Sequence, residues 1–367
     1  MATLGFSDLK SNAIPDLWDL SEMTKVRLAD GTTFDMMIGD VQAALAMVNG
    51  ELLSDPLVSG MVSVQSDVEV EYPVGQSNGV NEATEYGRPD PVPGSTTGHS
   101  IPCKGYDRAV GWTMMFLRNA RRARLDADVR ALISDIRNDF RKRLLQRFFK
   151  METERVGNTS GASVPFADGG TADANYVPLV SPDGEVFAST HDHFLRQAAI
   201  NADNLTLSVA HLQEHGHVAP FQLLGSLSDV STWTNVTGWK APNWDMLVYR
   251  DASAGTDRAA ISNINEFFGM IETDYGLVQV RLTQRIPTAY YGVYKSYGAL
   301  DARNPLRVRI NPNVGFGWQL VPGNWINAPM LMAVPYAEWG VGIGEDRTNG
   351  VAVEIDSSGD YATPTIS

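Results

Sequence analysis

From Val62 to Tyr72 the chain alternates between apolar and polar residues. Val62, Val64, Val68, Val70 and Tyr72 fall near every second position, with Ser63, Gln65, Asp67, Glu69 and Glu71 between them. A period of two is the mark of a strand with one wet face. Residues 75 to 98 carry Gly75, Gly79, Gly87, Pro89, Pro91, Pro93, Gly94 and Gly98, a tip too long and polar for a tight hairpin turn, and the chain returns through Ser100 to Thr113. The period then changes. Leu125, Val129, Leu132, Ile133, Ile136, Phe140, Leu144 and Phe148 recur at spacings of three and four, which predicts one long amphipathic helix. Upstream, Phe34, Met37, Ile38, Val41, Leu45 and Val48 predict a short helix over Thr33 to Asn49.

Downstream, Gly157 to Gly170 reads as an unordered or surface-exposed connection. Thr190 to Asn201 and Asn204 to His215 predict two short helices, capped by Thr190 and Asn204, the second stopped by Gly216. Strands are expected at Phe221–Leu227, Met246–Arg250, Leu277–Ile286, Tyr290–Tyr297, Leu306–Ile310 and Met330–Pro335, with a helix at Asn263–Ile271. Helices first and strands later, without βαβ alternation or internal repeats, indicate an α+β fold.

Composition narrows the function classes. With 367 residues and 43% hydrophobic content the chain can bury a substantial core. Nothing approaches the roughly 20 apolar residues of a membrane span, and the start lacks a basic segment followed by an apolar one, so a soluble, unexported protein is expected. The single cysteine, Cys103, excludes an internal disulfide framework and a multi-cysteine metal site; a small buried apolar role suits it. A net charge of −14 argues against a dedicated nucleic-acid binder. The exception is local. Between Arg118 and Lys150 stand eleven basic residues against four aspartates. Such a helix is either a solvated face or a partner for acidic surface on this chain or on copies of it.

Catalytic motifs are weak. His211-Leu212-Gln213-Glu214-His215 is a literal H-x-x-E-H that could hold zinc with Glu214 as base, a zinc-dependent hydrolase. But Gly216 ends the helix at once, and the third ligand, Glu266, Glu272 or another, is unidentified. Exposed histidines at a helix end are the simpler expectation. His191 and His193, two apart, would point to different faces of a helix. Gly340-Val341-Gly342-Ile343-Gly344 lacks the Lys and Ser/Thr of a phosphate loop. No nucleophile–base pair stands out, so no enzyme, cofactor or metal is expected. What remains is architectural: a two-stranded arm of about 50 residues is marginal alone and must lie on something.

The order of elements resembles the major capsid proteins of tailed bacteriophages, the Hong Kong 97-type fold. Local stretches look similar as well: Tyr275-Gly276-Leu277-Val278-Gln279-Val280, Arg285-Ile286-Pro287-Thr288, Gly315-Phe316-Gly317-Trp318-Gln319-Leu320-Val321-Pro322-Gly323, and Gly340-Val341-Gly342-Ile343 before Asp346-Arg347-Thr348-Asn349-Gly350. The resemblance implies an N-terminal arm and short helix (1–60), an extended E-loop (61–113), a spine helix with the first part of the peripheral (P) domain (114–185), a mixed A-domain (186–310), and return P-domain strands with a C-terminal tail (311–367). It implies a homo-oligomer of hexamers and pentamers in an icosahedral shell, in the virion, assembled in the host cytoplasm, with no membrane.

Partners implied are a scaffolding protein, a portal, a decoration protein and non-specifically contacted double-stranded DNA. Procapsid maturation belongs to the same picture. Each E-loop would lie over a neighbour, placing Asp67, Glu69, Glu71, Glu82 and Glu85 against Arg118, Arg121, Arg122, Arg124, Arg137, Arg141 and Arg147. Two departures matter. The segment before Met61 is shorter than the scaffolding domain some relatives carry, so a separate scaffold is expected. The founding relative joins subunits by a Lys-Asn isopeptide bond from its E-loop; no lysine lies between Met61 and Pro102, and Lys104 is at the base of the return arm, so a non-covalent shell is expected. Encapsulin nanocompartments share the fold and are the competing shell, distinguished by packaged enzyme in place of DNA.

Overall fold

Phe34–Ser54 forms helix α1, extending past Asn49, with Val41, Leu45, Val48 and Leu52 buried along one side. A computed structural model describes residues 28–74, 95–108, 110–113, 119–155, 162–170, 191–241, 267–322 and 330–366. Asp55 follows α1 and caps helix α2 (Pro56–Met61): its carboxylate accepts from the amides of Leu57 and Val58 at 3.0 and 3.4 Å, and Pro56 occupies a first-turn position where no N–H is needed.

The expected first arm strand is two strands, β1 (Val62–Gln65) and β2 (Glu69–Val74). β2 and β3 (Ser95–Ser100) make an antiparallel ribbon, so the return begins inside the stretch expected as tip. β4 (Lys104–Asp107) and β5 (Val110–Thr113) continue it. Helix α3 (Arg122–Phe149) runs 28 residues without a break, as its periodicity predicts, and buries Leu125, Leu132, Ile136, Phe140, Leu144 and Phe148. Short strands β6 (Glu154–Arg155) and β7 (Ala162–Ser163) pair with each other.

Then follow β8 (Phe194–Gln197), helix α4 (Ala202–Glu214), β9 (Phe221–Ser226), helix α5 (Val230–Thr234) and β10 (Trp239–Lys240). The remaining strands are β11 (Phe267–Thr273), β12 (Gly276–Thr283), β13 (Tyr290–Tyr294), β14 (Leu306–Ile310), β15 (Gln319–Pro322), β16 (Met330–Ile343) and β17 (Val351–Ile355). The content is α+β, as the sequence indicates.

The chain forms two compact units, each stitched from separate segments. The first comprises 1–54, 104–140 and 311–339. In it β16 pairs antiparallel with β15 on one side and with β4 and β5 on the other. Phe140 stands edge-on to Trp339 at 4.9 Å and to Phe316 at 6.2 Å, and Tyr106 covers Trp339 at 4.6 Å. Asn49 brackets the Trp318 backbone, donating to its carbonyl at 3.0 Å and accepting from its amide at 2.8 Å.

The second unit comprises 55–103, 141–310 and 340–367. Its seven-stranded sheet has the order β10-β11-β12-β9-β13-β17-β8, and α4 covers it with Leu205, Val209 and Leu212 against Phe221, Leu223, Val278, Val280, Val293, Val351 and Val353. Each such fully buried side chain contributes about 1.5–3 kcal/mol of apolar transfer. β1 pairs in parallel with β14 in the same unit. Gly292 in β13 leaves the space that the Phe148 ring fills; a Cβ there would collide with it. Asn349, fully buried, donates to the carbonyls of Lys295 and Arg303 and accepts from the Lys295 amide. Gly340 and Gly342 sit where a Cβ would strike Pro102 and Ile101, which holds the base of the return arm close to β16.

Three expectations are corrected. Thr190–Asn201 is no helix: residues 194–197 form β8, parallel to β17, and Asn201 instead caps α4 by accepting from the Asn204 amide at 2.8 Å. Within Asn263–Ile271, residues from Phe267 onward form a strand, because Thr273–Gly276 turns the chain back onto β12 and Thr273 Oγ donates to the Gly276 carbonyl. Within Gly157–Gly170, Ser163, Phe166 and Ala167 are buried rather than surface-exposed. The strand expected at Met246–Arg250 lies outside the described residues.

Candidate functional site

The basic excess of α3 sits on a helix whose apolar side is committed to packing, which leaves the arginines to find carboxylates. Within the first unit Arg122 donates to Asp40 at 2.7 Å, its backbone amide to Asp30 at 2.7 Å, and Arg137 pairs with Glu51. Arg108, on the return arm, pairs with Asp135 of α3. Asp40 and Glu51 both lie on α1, so that helix is the acidic counterpart within the chain. Most of these side chains are near half exposed, and such pairs contribute about 0–1 kcal/mol each. Arg124 reaches Asp128 one turn on at 3.9 Å.

In the second unit Arg141 pairs with Asp55, so one carboxylate both caps α2 and meets the guanidinium. Arg147 differs from all of these. It is 3% exposed and donates to the backbone carbonyls of Lys150 (3.1 Å), Glu152 (3.4 Å) and Ser163 (3.5 Å). Burial pulls its guanidinium down to about 10, still charged at neutral pH. Arg147 is thus turned inward, its two terminal nitrogens held by carbonyls inside the subunit and its Nε buried without a partner. Arg122, Arg137 and Arg141 likewise have carboxylates within the chain.

Arg121 and Arg124 are exposed, as are Asp67 and Glu69 at the start of the arm. Arg118, Glu82 and Glu85, and the side chain of Glu71, lie outside the described residues. Beside the arm's base, His99 Nε2 hydrogen-bonds the Ile343 carbonyl at 3.0 Å, and burial, with Arg347, Arg147 and Arg307 nearby, pushes its ring down to about 4. Cys103 is half-buried, its thiol 3.8 Å from the Arg309 carbonyl.

The histidines are where sequence reasoning failed most. His211 and His215 occupy the last turn and C-cap of α4 as predicted, but they are not exposed. His191 and His193 stand on extended chain leading into β8, where positions two apart share a side. All four rings meet within the second unit. Centroids lie 4.3 Å apart for His191–His211, 4.9 Å for His191–His215, 5.0 Å for His193–His215 and 6.0 Å for His193–His211.

Burial keeps the rings neutral. It pushes His211 down to about 4 and His215 to about 3, and holds His193 well below the ordinary histidine value, with neighbouring histidines adding to the shift. Glu272, one of the carboxylates weighed as a third ligand, instead pairs with Lys240, and Glu266 lies outside the described residues. Gly340 and Gly342 lie in strand β16 with no helix following, which removes the phosphate-loop reading.

No family model matches the sequence, and no curated protein resembles it in sequence. Solved structures do resemble it in fold. One from Mycobacterium phage Patience superposes with a TM-score of 0.62 at 19% identity, covering 94% of each chain. The capsid of the native GTA particle gives a TM-score of 0.46 at 10% identity over 83% of this chain and 91% of that one. The SrpI encapsulin of Synechococcus elongatus gives 0.42 at 9% identity over 85% and 91%. At these identities the first likeness establishes the fold over nearly the whole chain.

Proposed function

We propose that this chain, which has the Hong Kong 97-type fold of phage capsid proteins, is the major capsid protein of a tailed phage. It is a building block rather than a catalyst. It self-assembles into hexamers and pentamers of an icosahedral shell around double-stranded DNA, in a virion assembled in the host cytoplasm. The observation that carries the reading is the end-to-end likeness in fold, 94% of each chain at a TM-score of 0.62. Among the described residues no helix is long and apolar enough to cross a membrane.

The contacts between subunits follow from which charges the subunit leaves exposed. Arg121 just before α3 and Arg124 on it, with Asp67 and Glu69 on the arm, are exposed and available to neighbours; Arg118, Glu71, Glu82 and Glu85 complete the set on sequence grounds. Arginine forks and carboxylates pair well across such a surface. The shell is held without covalent links, since the arm offers no lysine between Met61 and Pro102. A scaffolding protein, a portal and a decoration protein are its partners.

Negative-stain microscopy of the purified protein tests this. Closed icosahedral shells are expected, and a protein that stays a dispersed monomer at high concentration overturns the reading. On denaturing gels the shells run as a single monomer band; a ladder of multimers would sink the non-covalent part alone.

A further inference from the structure

The geometry points to a transition-metal site, a zinc site by its donors, formed by His191, His193 and His215 in the second unit, with His211 and Glu214 beside it. The inference is independent of the shell reading. One nitrogen from each of these three histidines can be chosen so that all lie within 4.8 Å of one another. Zinc bound tetrahedrally by imidazole at about 2.0–2.1 Å sets its nitrogens about 3.4 Å apart, within reach of small ring rotations.

Two strips of backbone supply the rings. The extended segment before β8 presents His191 and His193 on one side, their rings stacked at 5.1 Å and 14°. The last turn of α4 presents His211 and, at its cap, His215. Glu214, which precedes the cap, brings its carboxylate to 3.5 Å from His191 Nε2.

Protonation is fixed by the surroundings. His193 Nδ1 lies 2.9 Å from the Gly350 carbonyl, which can only accept, so Nδ1 carries the hydrogen and Nε2 holds a lone pair. That is the outer hydrogen bond by which metal-binding histidines are oriented. His193 is fully buried, and its Nε2 meets no hydrogen-bond partner. His215 Nε2 and His211 Nδ1 are also buried without one.

A buried polar atom left unsatisfied carries its whole desolvation cost, and native structures hold few of them. For those on His193 and His215, whose rings converge with that of His191, one economical remedy is a shared cation. Neutral imidazoles select a borderline first-row divalent metal, and a tetrahedral site with nitrogen donors suits zinc. The enclosure matters for its role. His193 is fully buried and the side chains of His191 and Glu214 are 19% and 13% exposed, so the centre is largely enclosed. The metal ties the start of β8 to the end of α4, and His211 and Glu214 stand beside it as the side chains that can close the fourth position.

The test uses the full-length chain. Protein purified without chelator is assayed for bound metal, then stripped and titrated with Zn²⁺, and separately with Co²⁺ followed by visible absorption. One Zn²⁺ per chain is expected, with a rise in Tm on adding it back and the intense visible bands of a four-coordinate Co²⁺ centre. His191→Gln and His215→Gln, at the less buried positions, should each weaken Zn²⁺ binding at least about ten-fold. Their circular dichroism and hydrodynamic radius report folding separately. Sub-stoichiometric metal with no Tm response, or Zn²⁺ affinity unchanged in a folded His191→Gln/His215→Gln double variant, overturns the assignment.

Discussion

Arg137 and Arg147 lie on one helix and meet opposite fates. Arg137 leans on Glu51 across a surface where both side chains are near half exposed, while Arg147 is 3% exposed and holds backbone carbonyls of the segments that follow the helix. Water makes the difference. At the exposed end the pair competes with solvent and salt, so the charge tunes the surface without holding the fold. At the buried end both terminal nitrogens hold carbonyls where water cannot enter, so the residue becomes a structural strut. A run of arginines in a sequence is therefore not one feature, and only those left exposed are free to recognise a neighbour.

The sharpest way to break this contrast is to remove the buried member. Arg147→Leu strands the carbonyls it serves, and the subunit should lose about 3 kcal/mol or more in guanidinium unfolding; a loss below about 1 kcal/mol would show that the buried arginine is no strut. A smaller effect concerns His99, which lies in the field of Arg147. Its ring titrates near 6.5 in the unfolded chain and at about 4 in the fold, so between those values the unfolded chain takes up a proton that the folded one refuses. Stability is retained above about 6.5 and falls as pH drops toward about 4, by on the order of 3 kcal/mol at most. His99→Gln should lose less between pH 7 and pH 4.5 than the wild type in urea midpoints, and equal losses would contradict the assignment. Smallest of all, Arg137→Ala should cost about 0–1 kcal/mol, less in 1 M salt than in dilute buffer.

The two helices that matter most were legible because their apolar residues repeat over many turns: Leu125 to Phe148 leaves no other reading, and α1 is nearly as clear. Strands whose partners are distant were harder. β14 is found with its expected bounds, since Leu306–Ile310 is β-branched or apolar enough to stand alone, whereas Phe194–Gln197 becomes a strand only because Val351–Ile355 lies beside it. Phe267–Ile271 has helical spacing and is overruled by a four-residue turn. For the candidate site, sequence could identify the charge excess but not its partition. Nothing in the local pattern says that Arg147 faces inward or that Asp40 and Glu51 of α1 answer Arg122 and Arg137. The histidines were misjudged for one reason: spacing has meaning only once the backbone is known, and two apart is a poor pair on a helix but a good one on extended chain.

Asn349 precedes Gly350, and that dipeptide is the one in which an asparagine most readily cyclises onto the next amide and deamidates. Here both hydrogens of the side-chain amide are engaged by the Lys295 and Arg303 carbonyls and its oxygen by the Lys295 amide, so its carbonyl carbon cannot swing into reach of the attacking Gly350 nitrogen and no ammonia is lost. An aspartate in its place would bring a negative charge and no donors to a position that needs two. The same Gly350 carbonyl orients His193. Ageing of the polypeptide at this point is therefore arrested while the fold persists and begins when it opens, so the fraction of Asn349 side chains deamidated in an old sample records how long its chains have spent unfolded.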